Sequence, residues 1–194
     1  MKEHAFESPG KIVNNQISRT LKNYFPDLLT NLDKLPDPRQ RKEYQTGEIF
    51  MAGIGLFMFK QGSRNAFNLD RKEGVFRKNY EKVFKARLPH LDPVEQVFRL
   101  SDDQVLEQIK ADMVSRLIRN KQIGRCKLKG RHIVAIDGTG VASFNERHCE
   151  SCLQKTSKNG VTTYFHHVLE AKLLTPSGLS LSIATEWISN EGKG

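Results

Sequence analysis

Cysteine is scarce. Three in 194 residues, an odd number, do not make a disulfide framework. Long apolar runs are missing too: none reaches the roughly 18 residues that a membrane helix needs. The first residues, Met1-Lys2-Glu3-His4-Ala5-Phe6-Glu7, lack the apolar core of a signal peptide. Together these absences lead to the expectation of a cytoplasmic protein with no membrane partner. No internal repeat and no low-complexity tract is present, which excludes solenoids and disordered arrays. Acidic residues are the minority charge, 22 Asp+Glu against 31 Lys+Arg, for a net charge of +9. What remains is ordinary for a globular chain: 38% hydrophobic and 27% charged residues, with a mean hydropathy of -0.53. This length suits one domain or one domain and part of another, and a chain of this size buries roughly 70% of its unfolded surface.

The positive charge is unevenly spread. Residues 1–132 hold 26 Lys+Arg and 16 Asp+Glu, a net +10, whereas residues 133–194 hold 5 and 6, a net -1. A basic first part suggests a polyanionic partner, of which nucleic acid is the commonest. Residues 60–87 carry nine basic residues against three acids. Arg64, Arg71, Lys72, Arg77 and Lys78 are candidate phosphate contacts, and an ordinary solvated face is the competing reading. The interleaved Phe76, Tyr80, Val83 and Phe84 share one helical face and read as core. A second basic run, Arg116, Arg119, Lys121, Arg125, Lys127, Lys129 and Arg131, has no intervening acid.

Helical spacing dominates the first two thirds. Ile17, Leu21 and Tyr24 mark a first helix that Pro26 ends. Leu35-Pro36-Asp37-Pro38-Arg39-Gln40 reads as a linker. Thr46 is the expected N-cap of a helix through Ile49–Phe59, apolar on every side and therefore buried. Its Gly53 and Gly55 permit close packing. Ser63 is expected to cap a short helix, Asp92 to cap the next with Pro93 in first position, and a long helix begins near Ser101. The pattern then changes. Residues 131–136 form an apolar strand ending at Asp137, 161–174 a second strand, and 178–188 a third, with Pro176-Ser177-Gly178 as the turn between the last two.

Asp137 follows four apolar residues and precedes Gly138-Thr139-Gly140. A carboxylate at the open end of a buried strand suits Mg²⁺ (or Mn²⁺), because hard cations take carboxylate oxygen. An Asp capping a turn is the alternative. A second cluster is His148-Cys149-Glu150-Ser151-Cys152 with His166 downstream. Thiolates separated by two residues present on one turn and suit tetrahedral Zn²⁺. His148, Cys149, Cys152 and His166 are the most economical ligand set, against a redox pair or two unliganded thiols. His166 and His167 alternate on a strand and so face opposite sides.

The run Ile133-Val134-Ala135-Ile136-Asp137-Gly138-Thr139 resembles the opening of the catalytic domain of DDE-type insertion-sequence transposases, which have a ribonuclease H-like fold. Tyr164-Phe165-His166-His167-Val168-Leu169-Glu170-Ala171, Thr185-Glu186-Trp187-Ile188 and Leu88-Pro89-His90-Leu91-Asp92-Pro93 are similar to the same branch, so the resemblance covers most of residues 35–194. That branch often carries a C-x-x-C and a His at matching positions. The resemblance implies an α+β chain. A helical, basic DNA-binding domain over 1–130 would precede the first three antiparallel strands of a ribonuclease H-like domain over 131–194. It implies three acids binding two Mg²⁺ ions that cut and join DNA, Asp137 matching the first. It also implies element ends and target DNA as partners, and a dimer.

The second and third acids of that family would follow the third strand, and its later Tyr, Arg, Glu and Lys signature is not found in this sequence. Glu186 and Glu191 have no support from spacing as substitutes. The expectation is therefore an N-terminal fragment or truncated product, inactive alone, with a sheet face and an edge uncovered. A non-catalytic DNA-binding remnant and a ribonuclease H-like repair nuclease are the alternatives.

Overall fold

The computed structural model describes residues 9–124, 127–175, 178 and 180–189. They form an α+β arrangement of seven helices followed by five strands. By its contacts the chain divides into two compact units, Met1–Leu106 and Glu107–Gly194. The expected boundary at 130/131 lies inside the second unit.

The first unit is helical: α1 (Pro9–Tyr24), α2 (Leu28–Asp33), α3 (Thr46–Met58), α4 (Arg64–Asp70), α5 (Gly74–Phe84) and α6 (Asp92–Arg99). At its centre lies α3, because an all-round apolar helix is stable only when surrounded. Ile49, Phe50, Met51 and Ala52 are buried on it, together with Phe67 of α4, Tyr80, Val83 and Phe84 of α5, and Val94 and Val97 of α6. Phe50 stacks on Phe98 at 4.9 Å between ring centroids. A Cβ on Gly53 would overlap the Phe98 ring, and one on Gly55 would stand 3.2 Å from the Tyr80 ring. Both glycines thus permit the close approach expected of them. The aromatic face of α5 is core, Phe76 being half-buried and the other three buried.

Polar groups fix the helix starts. Ser63 caps α4, its hydroxyl accepting the Ala66 N–H at 3.1 Å. Thr46 is the first residue of α3, and the cap is Gln45, whose N–H donates to the Glu48 carboxylate at 3.0 Å. Leu91 takes the cap position expected of Asp92, which lies in the first turn of α6 with Pro93. The segment expected as a linker is ordered. Leu35 and Arg39 are buried, and the Arg39 guanidinium donates twice to Asp37, at 2.9 and 2.8 Å, and once to the Tyr44 carbonyl at 2.6 Å. An interior arginine needs such partners, and Asp37 supplies them from two residues away.

The last helix, α7 (Asp103–Arg119), precedes the five strands: β1 (Lys127–Leu128), β2 (Arg131–Phe144), β3 (Leu153–Thr156), β4 (Thr162–Leu174) and β5 (Ser180–Ile188). All pairings are antiparallel. β4 is central: β2 lies along one edge, while β3 (paired from Phe165 to Thr162) and β5 (paired from His167 to Leu174) share the other. The three long strands expected are present; β1 and β3 are additional. A two-residue turn at Lys129 (φ 50) and Gly130 (φ 81) joins β1 to β2, the left-handed pair a tight hairpin requires. The expected turn residues Pro176 and Ser177 lie outside the described residues.

Two strand expectations are corrected. β2 does not end at Asp137 but runs on to Phe144, so Gly138-Thr139-Gly140 is strand, with a bulge between Gly140 and Ala142. Nor is β2 buried: Val134 is 45% and Ile136 66% exposed. Register places Val134, Ile136, Leu169 and Ile188 on one face of the sheet, and all four remain substantially exposed.

Candidate functional site

The opposite sheet face carries the candidate residues. Residues directly opposite across antiparallel strands share a face, so the pairs Asp137–Glu170, Glu170–Thr185, Thr139–Val168 and Val168–Trp187 define it. His166, two residues before Val168, belongs to the same face. Asp137 is exposed in mid-strand, and its Oδ1 accepts the Gly138 N–H at 2.8 Å. Glu170, which sequence reasoning missed, lies directly across from it. The only sequence signal was its even spacing from His166, useful once the register was known. Opposed like charges are destabilising, and Lys172 relieves this pair, its Nζ standing 3.1 Å from Glu170. That contact, aided by the Ser182 hydroxyl, holds the Glu170 carboxyl below its usual range. Lys110 on α7 donates to Glu107 (2.7 Å), Ser182 (3.2 Å) and Thr185 (2.9 Å), and Glu107 accepts the Thr185 N–H at 3.1 Å. These bonds tie α7 to β5.

A Mg²⁺ ion takes one or two carboxylates and keeps several waters, so Asp137 fits as one ligand. Glu170 is committed to Lys172. Among the described residues the only group of three or more metal-ligating side chains is Cys149, Cys152 and His166. Asp137 belongs to no such group. Glu186 pairs with Leu169 and points from the other face; Glu191 lies outside the described residues.

The Cys–His cluster follows from strand pairing. β3 starts at Leu153 opposite Phe165, so the residue before it, Cys152, arrives beside His166. A tight turn brings Cys149 back: the Cys152 N–H donates to the Cys149 carbonyl at 3.3 Å, and the Cys149 N–H to the Cys152 sulfur at 3.4 Å. The sulfurs are 3.6 Å apart, and each is 3.4 Å from His166 Nε2. Cys152 is buried and Cys149 exposed. Burial pushes the Cys152 thiol up, but the backbone N–H groups of Cys149 and His148 outweigh it and the net shift is downward. Arg147, another residue not foreseen, holds the turn by donating to the carbonyls of Cys149 (3.2 Å) and Glu150 (2.8 Å). The expected fourth ligand, His148, is not brought in: its ring stacks on Phe144 at 4.7 Å. His167 faces the other side, as expected, against Phe165 at 4.8 Å.

The basic residues fall in both units. In the first, Lys72, Arg77 and Lys78 are exposed. Arg64 pairs with Glu95, and Arg71 is half-buried. A polar groove of about 370 Å³ between α1 and α5, lined in part by Asn14, Asn15, Ser18 and Lys82, was not foreseen. In the second unit, Arg119, Lys121, Lys127 and Lys129 are exposed. Arg125 lies outside the described residues. No helix among the described residues is long and apolar enough to cross a membrane.

Compared with known proteins, the chain matches no family model, no curated protein and no solved structure.

Proposed function

We propose that this chain belongs to a DNA-processing enzyme of the DDE transposase kind. Its basic helical part would engage element-end or target DNA, and Asp137 would supply one carboxylate for Mg²⁺ in a ribonuclease H-like domain. The observation that carries the reading is the strand order. A helical basic region is followed by three long antiparallel strands in sequential adjacency, β2, β4 and β5. The first of them presents Asp137, exposed, on the same face as Glu170. The order of helices and strands is the one the resemblance implies for the opening of such a domain. The exposed Lys72, Arg77, Lys78, Arg119, Lys121, Lys127 and Lys129 support a role in holding phosphate backbone.

A second reading, a module that binds DNA without cutting it, is favoured because Asp137 belongs to no group of three metal-ligating side chains among the described residues. Both readings are tested on labelled duplex DNA. Binding must weaken steeply with salt, since each neutralised phosphate releases counterions with a log–log slope of about 0.9 per contact. Neutralising Lys72, Arg77 and Lys78 together should reduce that slope by about 2–3. Mg²⁺-dependent strand cleavage that disappears in Asp137→Ala while binding persists favours the enzyme. Binding without cleavage, and without Mn²⁺ binding that Asp137→Ala abolishes, favours the module, since an incomplete enzyme still holds a metal at Asp137. A chain that fails to bind DNA at low salt refutes both.

A further inference from the structure

We propose that Cys149, Cys152 and His166 bind one zinc ion through three protein ligands, with the fourth position filled by solvent. The site stands independently of the DNA reading. Zn–S bonds of about 2.3 Å and Zn–N bonds of about 2.0–2.1 Å in a tetrahedron put sulfurs about 3.8 Å apart and each sulfur about 3.6 Å from the nitrogen. The observed edges are 3.6, 3.4 and 3.4 Å, all within about 0.2 Å of those tetrahedral edges.

Other accounts explain less. An imidazole nitrogen carries either one proton or one lone pair, so a single linear hydrogen bond accounts for only one of the two sulfur contacts at Nε2. Both are 3.4 Å, as a shared ion would make them. A disulfide needs about 2.05 Å between sulfurs, far below 3.6 Å, and gives His166 no part. The surroundings are those of a thiolate site. The Cys149 N–H points at the Cys152 sulfur, and Arg147 braces the turn from outside. Such outer bonds orient and tune ligands. Two thiolates and an imidazole select zinc over Mg²⁺ or Ca²⁺, which prefer oxygen. Bound there, the ion would fasten the 149–152 turn to β4 at the point where β3 begins.

The test uses the full chain, stripped of metal and titrated with Co²⁺ and then Zn²⁺. Trp187, the chain's single tryptophan, stands edge-on to His166 with ring centroids 6.2 Å apart, so its emission reports occupancy. The expected result is one equivalent of Co²⁺ with a thiolate charge-transfer band and tetrahedral visible bands, Trp187 quenching, and displacement by Zn²⁺. Zinc should raise the melting temperature by several degrees. Cys149→Ser, at an exposed position, should abolish the charge-transfer band and the metal-dependent melting shift while melting like the stripped parent chain; His166→Ala should weaken binding at least tenfold. His148→Ala and Cys126→Ser should titrate as the parent does. Absence of the band at one equivalent, its persistence in Cys149→Ser, or its loss in His148→Ala or Cys126→Ser would each overturn the ligand set.

Discussion

Replacing Glu48 should loosen the helical unit by an amount its contacts allow one to work out. The Glu48 side chain is buried near the start of α3. Its carboxylate accepts four hydrogen bonds: from the Arg87 backbone N–H (3.0 Å), Arg87 Nε (3.0 Å), Arg87 Nη2 (2.8 Å) and the Gln45 N–H (3.0 Å). It therefore closes the N-terminus of α3 and joins it to the segment after α5. Hydrogen bonds to a charged group contribute about 1.5–3 kcal/mol. The Arg87 side chain is 56% exposed, so its share is discounted for solvent screening. Glu48→Gln keeps the shape and one acceptor and should cost about 2 kcal/mol; Glu48→Ala, which also orphans the two N–H groups, should cost about 3 kcal/mol.

The effect must depend on pH. Burial raises the Glu48 pKa, but the bonds from Arg87 and Gln45 outweigh it and leave the folded value below the ordinary one. A depressed carboxyl pKa stabilises above the unfolded value, about 4.3, and that contribution fades as pH falls through the folded value. The difference between the parent chain and Glu48→Gln should thus be full at neutral pH and shrink in acid. Urea unfolding followed by far-ultraviolet circular dichroism reads the helices. With a slope of about 2 kcal/mol per molar urea, Glu48→Gln should lower the midpoint by about 1 M. A shift below about 0.2 M, or one that does not shrink in acid, would refute the assignment of Glu48 as a charged clamp.

Gly53→Ala should destabilise the same unit by about 1–3 kcal/mol, because overlap with the Phe98 ring outweighs the roughly 1 kcal/mol that alanine gains in a helix; thermal melting measures it. Ile136→Lys should change stability by less than about 0.5 kcal/mol, since the side chain is 66% exposed; a larger loss in the same melt would mean that the sheet face is covered.

What could be read from the sequence was what depends on neighbours along the chain. All-round apolarity placed α3 in the core, and the hydroxyl of Ser63 marked a helix start. The two cysteines share one turn, so their meeting was legible, and alternation along β4 separated His166 from His167. What depends on pairing between distant segments was not legible. Asp137 looked like a strand end because glycines follow it, yet glycine in a strand also marks close approach: a Cβ on Gly140 would stand 3.3 Å from His167 Nε2. Glu170 became visible only through register. The ring of His148 was assigned to the metal set on spacing, but stacking on Phe144 takes it elsewhere and leaves its backbone N–H beside the cluster.

The two units also differ in what can hold them together. The first has a continuous core running from Leu28 to Val97. In the second, the buried apolar side chains among the described residues are Ile123, Cys152, Val168 and Leu173. Register puts Val168 and Leu173 on opposite faces of β4, so they do not add to one core. Hydrophobic burial contributes about 25 cal/mol per Å², and a sheet open on one face collects little of it. Cross-links then matter more. The Lys110 and Glu107 bonds fasten α7 to β5, and the Cys149–Cys152–His166 cluster fastens the 149–152 turn to β4. A metal at that cluster would constrain the loop between Cys149 and His166 as a disulfide does, and a closure of about 15 residues is worth about 3 kcal/mol. In the helical unit such a sum would be a modest addition to an existing core. In the sheet unit it is comparable to what two buried aliphatic side chains provide, which is why chelation should be felt first in the Trp187 signal and last in the helices.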